Sequence, residues 1–181
     1  MKLVLASKSP RRKQILSELG YQFEVIPALK DEVFGDKNID EALKRVALSK
    51  VKEVFEQNQD SCVIGADTLV VYNDQILQKP TSKQDAIDTL TMLSNQVHEV
   101  KTAVALCHKN QSKVEVVTTK VYFKKLSEEM IKEYVDTGRC MDKAGSYGIQ
   151  EVDFVDKIEG SYSNVVGFPV DKVKEYLEDI V

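Results

Sequence analysis

The run CVIGADTLVV at residues 62–71 constrains this chain more than any other segment. Almost every residue in it is apolar, yet a carboxylate, Asp67, stands in its middle. Residues 62–72 read as a strand on this composition. A carboxylate inside such a strand cannot stay ionised in a protein core without a cation or hydrogen bonds. A metal ion would satisfy it, and so would Lys50 or Lys79. The bland alternative is a strand-end aspartate capping a turn after Gly65.

Apolar periodicity places the other elements around this strand. Residues 2–6 read as a short buried strand, after which Ser9 caps a helix with Pro10 at its first position. Ile15, Leu16 and Leu19 form the inner face of that helix and Gly20 stops it. Residues 21–27 read as a second strand and residues 28–38 as polar and irregular. A long helix over 40–57 shows Leu43, Val46, Ala47, Val51 and Val54 at helical spacing. A turn at Asn73-Asp74 leads to Ile76-Leu77, and a helix over 82–93 turns Ala86, Ile87, Leu90 and Leu93 inward. Residues 97–107 and 114–123 predict a hairpin across a polar turn at 108–113. Ser127 caps a helix with Met130, Ile131, Tyr134 and Val135 inside, ended by Gly138. A glycine-containing loop over 139–150, a strand over 154–158, a loop over 160–169 and a helix over 170–180 complete the chain. This pattern predicts an α/β architecture with a mixed sheet and leaves the strand order open.

The 181 residues fit a single domain, 1–181, able to bury roughly 70% of its unfolded surface. The net charge of −4 argues against a nucleic-acid partner held by bulk positive charge. A phosphate ligand would need a local basic cluster instead. The three cysteines, Cys62, Cys107 and Cys140, have no zinc-knuckle spacing, and Cys62 and Cys107, inside apolar runs, suit buried thiols in a reducing cytosol. No apolar run approaches the ~20 residues that span a bilayer. The apolar run at the N-terminus is too short for a secretory signal.

Several segments carry chemistry-bearing residues. Ser7-Lys8-Ser9-Pro10-Arg11-Arg12-Lys13 lies at a strand-to-helix junction. Basic residues in a helix's first turn oppose its dipole by roughly 0.3–1 kcal/mol each. An anion would neutralise them, and guanidinium forks match phosphate; the alternative is a solvated basic turn. Lys50 falls on the apolar stripe of the long helix, where a lysine either snorkels to the edge or points into a polar site. Pro80 holds the preceding Lys79 in extended backbone, where it is either a ligand group or an exposed hairpin end. In Asp142-Lys143-Ala144-Gly145-Ser146-Tyr147-Gly148-Ile149-Gln150, the glycines allow close backbone approach, and the Gln150 amide offers both a donor and an acceptor for a base edge. Gly160-Ser161-Tyr162-Ser163-Asn164 either adds polar groups or is merely a loop. Asp31-Glu32 offers a second carboxylate or two solvated acids. His98 and His108 read as structural. No serine–histidine–acid set is recognisable, and no GxxxxGK[ST] phosphate loop occurs.

Taken in order, these segments resemble the Maf family of nucleotide pyrophosphatases over nearly the whole chain. The anchors are Leu5-Ala6-Ser7-Lys8-Ser9-Pro10-Arg11-Arg12, Gly65-Ala66-Asp67-Thr68, Lys79-Pro80, His98-Glu99-Val100 with Thr102-Ala103-Val104, the 142–150 segment, and Val165-Val166-Gly167-Phe168-Pro169. The resemblance implies a fold similar to inosine-triphosphate pyrophosphatases (Maf/Ham1-like), with an elongated mixed sheet, flanking helices and two lobes around a cleft. It implies a cytoplasmic housecleaning enzyme that hydrolyses nucleoside triphosphates to the monophosphate and pyrophosphate with Mg²⁺, Mn²⁺ or Co²⁺. It makes Asp67 the catalytic base and lines the same site with Arg12, Glu32, Lys50 and Lys79; in the mechanism expected from this, Glu32 and Asp67 are the metal ligands and Ser7, Arg12, Lys50 and Lys79 the phosphate-binding residues. Arg11, Thr68 and Gln150 match the branch that prefers dTTP and UTP, modified pyrimidine nucleotides included. A homodimer and a link to septum formation are implied in the same way.

After Gln150 the family usually has a glycine-containing turn. Here a shorter segment, Glu151-Val152-Asp153-Phe154, follows, which bears on substrate range more than on activity. The rival reading from another class is a non-catalytic nucleotide-binding regulator of cell division, which would not need Asp67 ionised beside a metal.

Overall fold

The computed structural model describes residues 1–30, 33–35 and 38–180. Among them the strands are β1 (Lys2–Leu5), β2 (Glu24–Val25), β3 (Ser61–Tyr72), β4 (Gln75–Leu77), β5 (Val97–His108), β6 (Gln111–Phe123) and β7 (Val155–Glu159). The helices are α1 (Pro10–Glu18), α2 (Ile39–Glu56), α3 (Lys83–Leu93), α4 (Glu128–Asp136), α5 (Tyr162–Val166) and α6 (Val170–Glu178). The strands form one mixed seven-stranded sheet in the order β2-β1-β3-β5-β6-β7, with β4 paired to β3 off this path. β1 runs parallel to β2 and β3, with Leu5 opposite both Val25 and Ile64. β4 is antiparallel to β3, and β7 to β6. The expected mixed α/β fold is therefore the one adopted.

The chain gathers into two compact units, Met1–Asp67 with Thr102–Val117 and Gly167–Val181, and Thr68–Lys101 with Thr118–Val166. The boundaries cut β3 after Asp67, β5 after Lys101 and β6 after Val117. Each unit has its own core. In the first, Leu3, Leu5, Leu16, Cys62, Ile64, Val104, Leu106 and Phe168 pack with Val173, Tyr176 and Leu177 of α6. In the second, Val70 of β3 packs with Ala86, Leu90 and Leu93 of α3, Ile131, Tyr134 and Val135 of α4, and Phe123, Tyr147 and Phe154.

Local chemistry explains the helix boundaries. Side chains of Ser9, Asn38, Ser82 and Ser127 accept hydrogen bonds from the amides of Arg12, Glu41, Asp85 and Met130. Each such cap satisfies an otherwise orphaned donor and stabilises its helix by ~1 kcal/mol. Gly20 and Gly138 follow α1 and α4 with φ of 83° and 74°, backbone that favours glycine. Cys62 and Cys107 are free and buried as expected, Cys140 is free and buried too, and burial pushes the Cys62 thiol up to about 12. No described helix is long and apolar enough to cross a membrane.

Three elements differ from expectation. The strand over 21–27 contracts to Glu24–Val25, because its partner β1 ends at Leu5 and offers register only to those two residues. The turn at 108–113 tightens to Lys109-Asn110, with Lys109 at φ 51°. The segment 160–169 contains the helix α5, whose Asn164 amide is capped by Ser161 Oγ at 3.1 Å. Asn164 is fully buried, and its Nδ2 donates to the Val100 carbonyl (3.1 Å) and Thr119 Oγ1 (2.9 Å), tying α5 to β5 and β6.

His98 is structural, as its sequence context implies. It is buried, its Nε2 lies 2.6 Å from the Tyr147 hydroxyl, and it meets Phe123 and Tyr147 edge to face. Burial lowers its pKa to about 4. An unfolded histidine titrates near ~6.5, so the unfolded chain binds more protons between these values. The stability conferred by neutral His98 is thus complete above the unfolded pKa and is lost as pH falls toward the folded one. Urea unfolding should show this contribution fall by about 2 kcal/mol between pH 7 and pH 5. His98→Gln, which does not titrate, should lack that part of the slope; an identical slope in parent and variant would contradict the assignment.

Candidate active site

Asp67 is 4% exposed, in a strand whose residues from Ser61 through Asp67 are all buried. Its charge is met by Lys50, whose Nζ lies 3.2 Å from Asp67 Oδ1; the two side chains are 16% and 6% exposed. Lys50 comes from the α2 face that also buries Ala47, Val51 and Val54. Of the two readings open to it, it points inward rather than snorkelling away. Gly65 makes this approach feasible. A Cβ there would lie 2.8 Å from Val51 Cγ2 and 3.3 Å from the Ala6 carbonyl oxygen. The bare glycine lets α2 and β1 close on β3, and the residue preceding Val51 then reaches Asp67. Removing one partner of a buried ion pair typically costs ~3–5 kcal/mol, because the other charge is left uncompensated.

The second cluster forms where β1 runs into α1. The Ala6 amide donates to the Ile64 carbonyl at 2.8 Å, extending the β1–β3 pairing toward Ser7. Ser7, 8% exposed, accepts through Oγ from the Ser9 amide (3.1 Å) and from Arg12 Nη1 (3.3 Å). Arg12 Nε donates to the Gly167 carbonyl at 2.8 Å. The half-buried guanidinium is therefore held from two sides at a helix N-terminus that has no acidic residue in its first turn. Backbone amides of a helix start beside a fixed guanidinium fork favour a phosphate-type anion. Arg11 is half-buried, while Lys8 and Lys13 are exposed. The support from Gly167 was not visible in the sequence, where that residue served only as a matching anchor. A carbonyl's partner 155 positions away in the chain leaves no local signal.

Thr68, Lys79 and Gln150 belong to the second unit. Thr68 is half-buried; Lys79 and Gln150 are exposed. The Gln78 carbonyl accepts from the Gly145 amide at 3.3 Å, which ties the segment presenting Lys79 to the 142–150 loop. Gly145 has φ 71°, and a Cβ on it would lie 2.9 Å from Val70 Cγ1, so a larger residue would lift that loop off β3. Gln150 stands at the corner of a turn closed by the Glu151 amide on the Gly148 carbonyl at 3.0 Å. Asn164 and Ser161, candidate polar groups in the sequence, serve the sheet and α5 as described above. Asp31 and Glu32 lie outside the described residues.

The donor chemistry suits a hard divalent cation. Asp67 offers carboxylate oxygen, and Mg²⁺ is bound by one or two carboxylates together with substrate phosphates. Among the described residues no group of three or more His, Cys, Asp or Glu gathers as a metal cage. Of the two carboxylates expected to hold such an ion, Asp67 alone is among the described residues.

Comparison with known proteins identifies the family. Residues 2–180 match the Maf-like protein family. A dTTP/UTP pyrophosphatase of Vibrio parahaemolyticus is 41% identical over 100% of this chain and 98% of its own length. One from Alkaliphilus metalliredigens is 44% identical over 97% of this chain and 94% of its own. The Ham1 protein of Staphylococcus aureus shares the fold at 11% identity, with a TM-score of 0.55 and all of both chains covered.

Gly65→Ala tests the packing that delivers Lys50. Placing a methyl group into this contact should cost about 1–3 kcal/mol in urea unfolding. Val51→Ala in the same chain should recover part of that loss, a coupling a double-mutant cycle reads directly. Additive effects of the two changes would show that the contact does not control the approach.

Proposed function

The chain belongs to the Maf family, and on that premise we propose that it hydrolyses dTTP and UTP to the monophosphate and pyrophosphate. The observation that carries this reading is the buried Asp67 carboxylate, paired with Lys50 inside a largely apolar strand. A buried charge of this kind is expensive to maintain and is characteristic of sites that use it. The substrate comes from the relatives, 41% to 44% identical over essentially their whole length and named dTTP/UTP pyrophosphatases.

Water attacks the α-phosphorus, and the bond from that phosphorus to the bridging oxygen breaks, releasing pyrophosphate. Asp67 takes the proton from the attacking water as general base. Lys50 holds Asp67 at its Oδ1 and adds positive charge beside it. Ser7 and Arg12 bind phosphate oxygens from a preorganised position, Arg12 being fixed by Gly167, so little reorganisation accompanies the movement of charge. Lys79 adds a further cation. A divalent ion (Mg²⁺, Mn²⁺ or Co²⁺) held by Asp67 and Glu32 would neutralise the triphosphate. Arg11, Thr68 and Gln150 select the base; the Gln150 amide can accept from N3–H of uracil or thymine and donate to a ring carbonyl. Resemblance alone supports a homodimer and a cytoplasmic location.

With Mg²⁺ and each common nucleoside triphosphate in turn, pyrophosphate should be released chiefly from dTTP and UTP, with no stoichiometric inorganic phosphate. Asp67→Asn should lower turnover by ~10²–10⁴-fold, the usual contribution of a general base. A folded Asp67→Asn protein with parental turnover would remove Asp67 from the mechanism. Nucleotide binding with no hydrolysis of any substrate would replace the enzyme by the binding regulator.

A further inference from the structure

The turn that carries Gln150 is tied down at both ends by one buried hydroxyl. Tyr134 Oη accepts from the Gly148 amide at 3.1 Å and donates to Glu151 Oε2 at 2.8 Å. It thus spans the turn whose own closing bond joins the Glu151 amide to the Gly148 carbonyl. The other carboxylate oxygen, Glu151 Oε1, meets Lys143 Nζ at 3.0 Å. That ammonium also binds Asp142 Oδ1 at 3.0 Å and the Arg139 carbonyl at 2.5 Å. Gly148 leaves the space for this arrangement: a Cβ there would lie 2.8 Å from Lys143 Cε and 3.3 Å from the Glu151 carboxyl carbon.

Tyr134 is 6% and Lys143 8% exposed, the Glu151 side chain is 23% exposed, and Asp142 lies at the surface. The Tyr134 ring is fixed by the inner face of α4 and by an edge-to-face contact with Phe154 at 5.6 Å. Burial, and then the Glu151 carboxylate, raise the Tyr134 pKa, so its hydroxyl keeps the proton it donates. A buried ionic network is seldom the most stabilising way to fill a core; apolar replacements of similar volume are often as stable or more so. What such a network supplies is a unique geometry. Here its bonds converge on the two ends of a single turn and leave only the corner, Gln150, exposed. Glu151 also occupies the stretch where this sequence departs from the family pattern.

We propose that Glu151, Tyr134 and Lys143 are positioning residues that hold Gln150 for base recognition, so that groups not touching the nucleotide set the pyrimidine preference. The proposal rests on Gln150 being the base reader. Within this chain, the carboxylate of Glu151 takes over the fixing of the turn after Gln150.

Tyr134→Phe keeps the ring and removes the bridging hydroxyl; Glu151→Gln keeps the shape and removes the charge. In both, amide exchange at Gly148 and Glu151 should accelerate about 10-fold or more, as expected from losing a hydrogen bond to a charged or bridging group. The preference in kcat/KM for dTTP and UTP over purine nucleotides should narrow by about 10-fold through KM, with kcat on dTTP within about 3-fold of the parent. Cooperative unfolding checks that each variant is folded. Unchanged amide protection with parental preference would overturn the clamp, as would an equal fall of kcat on every nucleotide. Gln150→Ala separates the two ideas. Parental preference in that variant would refute Gln150 as reader; altered preference there, with parental preference in both clamp variants, would refute the clamp alone.

Discussion

A carboxylate inside an apolar strand is the constraint to which much of the first unit answers. Lys50 stands 3.2 Å from Asp67, and it arrives there because α2 lies close against β3. That closeness depends on the absence of a side chain at Gly65, opposite Val51 and the Ala6 carbonyl. The same packing aligns the end of β1 with β3 and sets Ser7 and the start of α1. One glycine, one helix face and one strand register therefore produce the ion pair together. Charge placement in this protein is a consequence of packing as much as of composition.

The second unit handles buried polar groups in the same manner, satisfying them in specific pairs. His98 faces the Tyr147 hydroxyl, Asn164 bridges Val100 and Thr119, and Tyr134 joins Gly148 to Glu151. Each arrangement fixes the orientation of a loop or short helix against the sheet or against α4, which apolar contacts alone would leave less determined. The likeness to Ham1 of Staphylococcus aureus at 11% identity shows that the architecture tolerates nearly complete replacement of its sequence. Function must accordingly be argued from the site residues and from the full-length relatives rather than from the fold.

Much of the fold was legible in the sequence because its signals are local. Ser9 and Ser127 cap helices where their positions before apolar-periodic runs place caps, and Gly20 and Gly138 end helices with backbone that favours glycine. The long strands were legible from their apolar and β-branched runs. The edge strand near Glu24 is shorter than its residues suggest because its length is limited by β1, a partner that its own residues do not encode. Helix α5 is not legible because a five-residue helix has too little periodicity to register; the buried Asn164 and the Ser161 cap hold it in place.

The candidate site divides along the same line. The sequence by itself determined which residues stand out as candidates: Asp67 against its apolar neighbours, Arg11 and Arg12 opposing a helix dipole, and Lys50 interrupting an apolar stripe. These are local contradictions of propensity or burial, and such contradictions are readable one segment at a time. Only the tertiary structure decided how they are resolved. Lys50 rather than solvent meets Asp67, Gly167 holds Arg12 from far along the chain, and a tyrosine of α4 fastens the turn that bears Gln150. The physical reason is that a hydrogen bond or ion pair needs angstrom-scale proximity, and between distant residues the packing of helices and strands provides it.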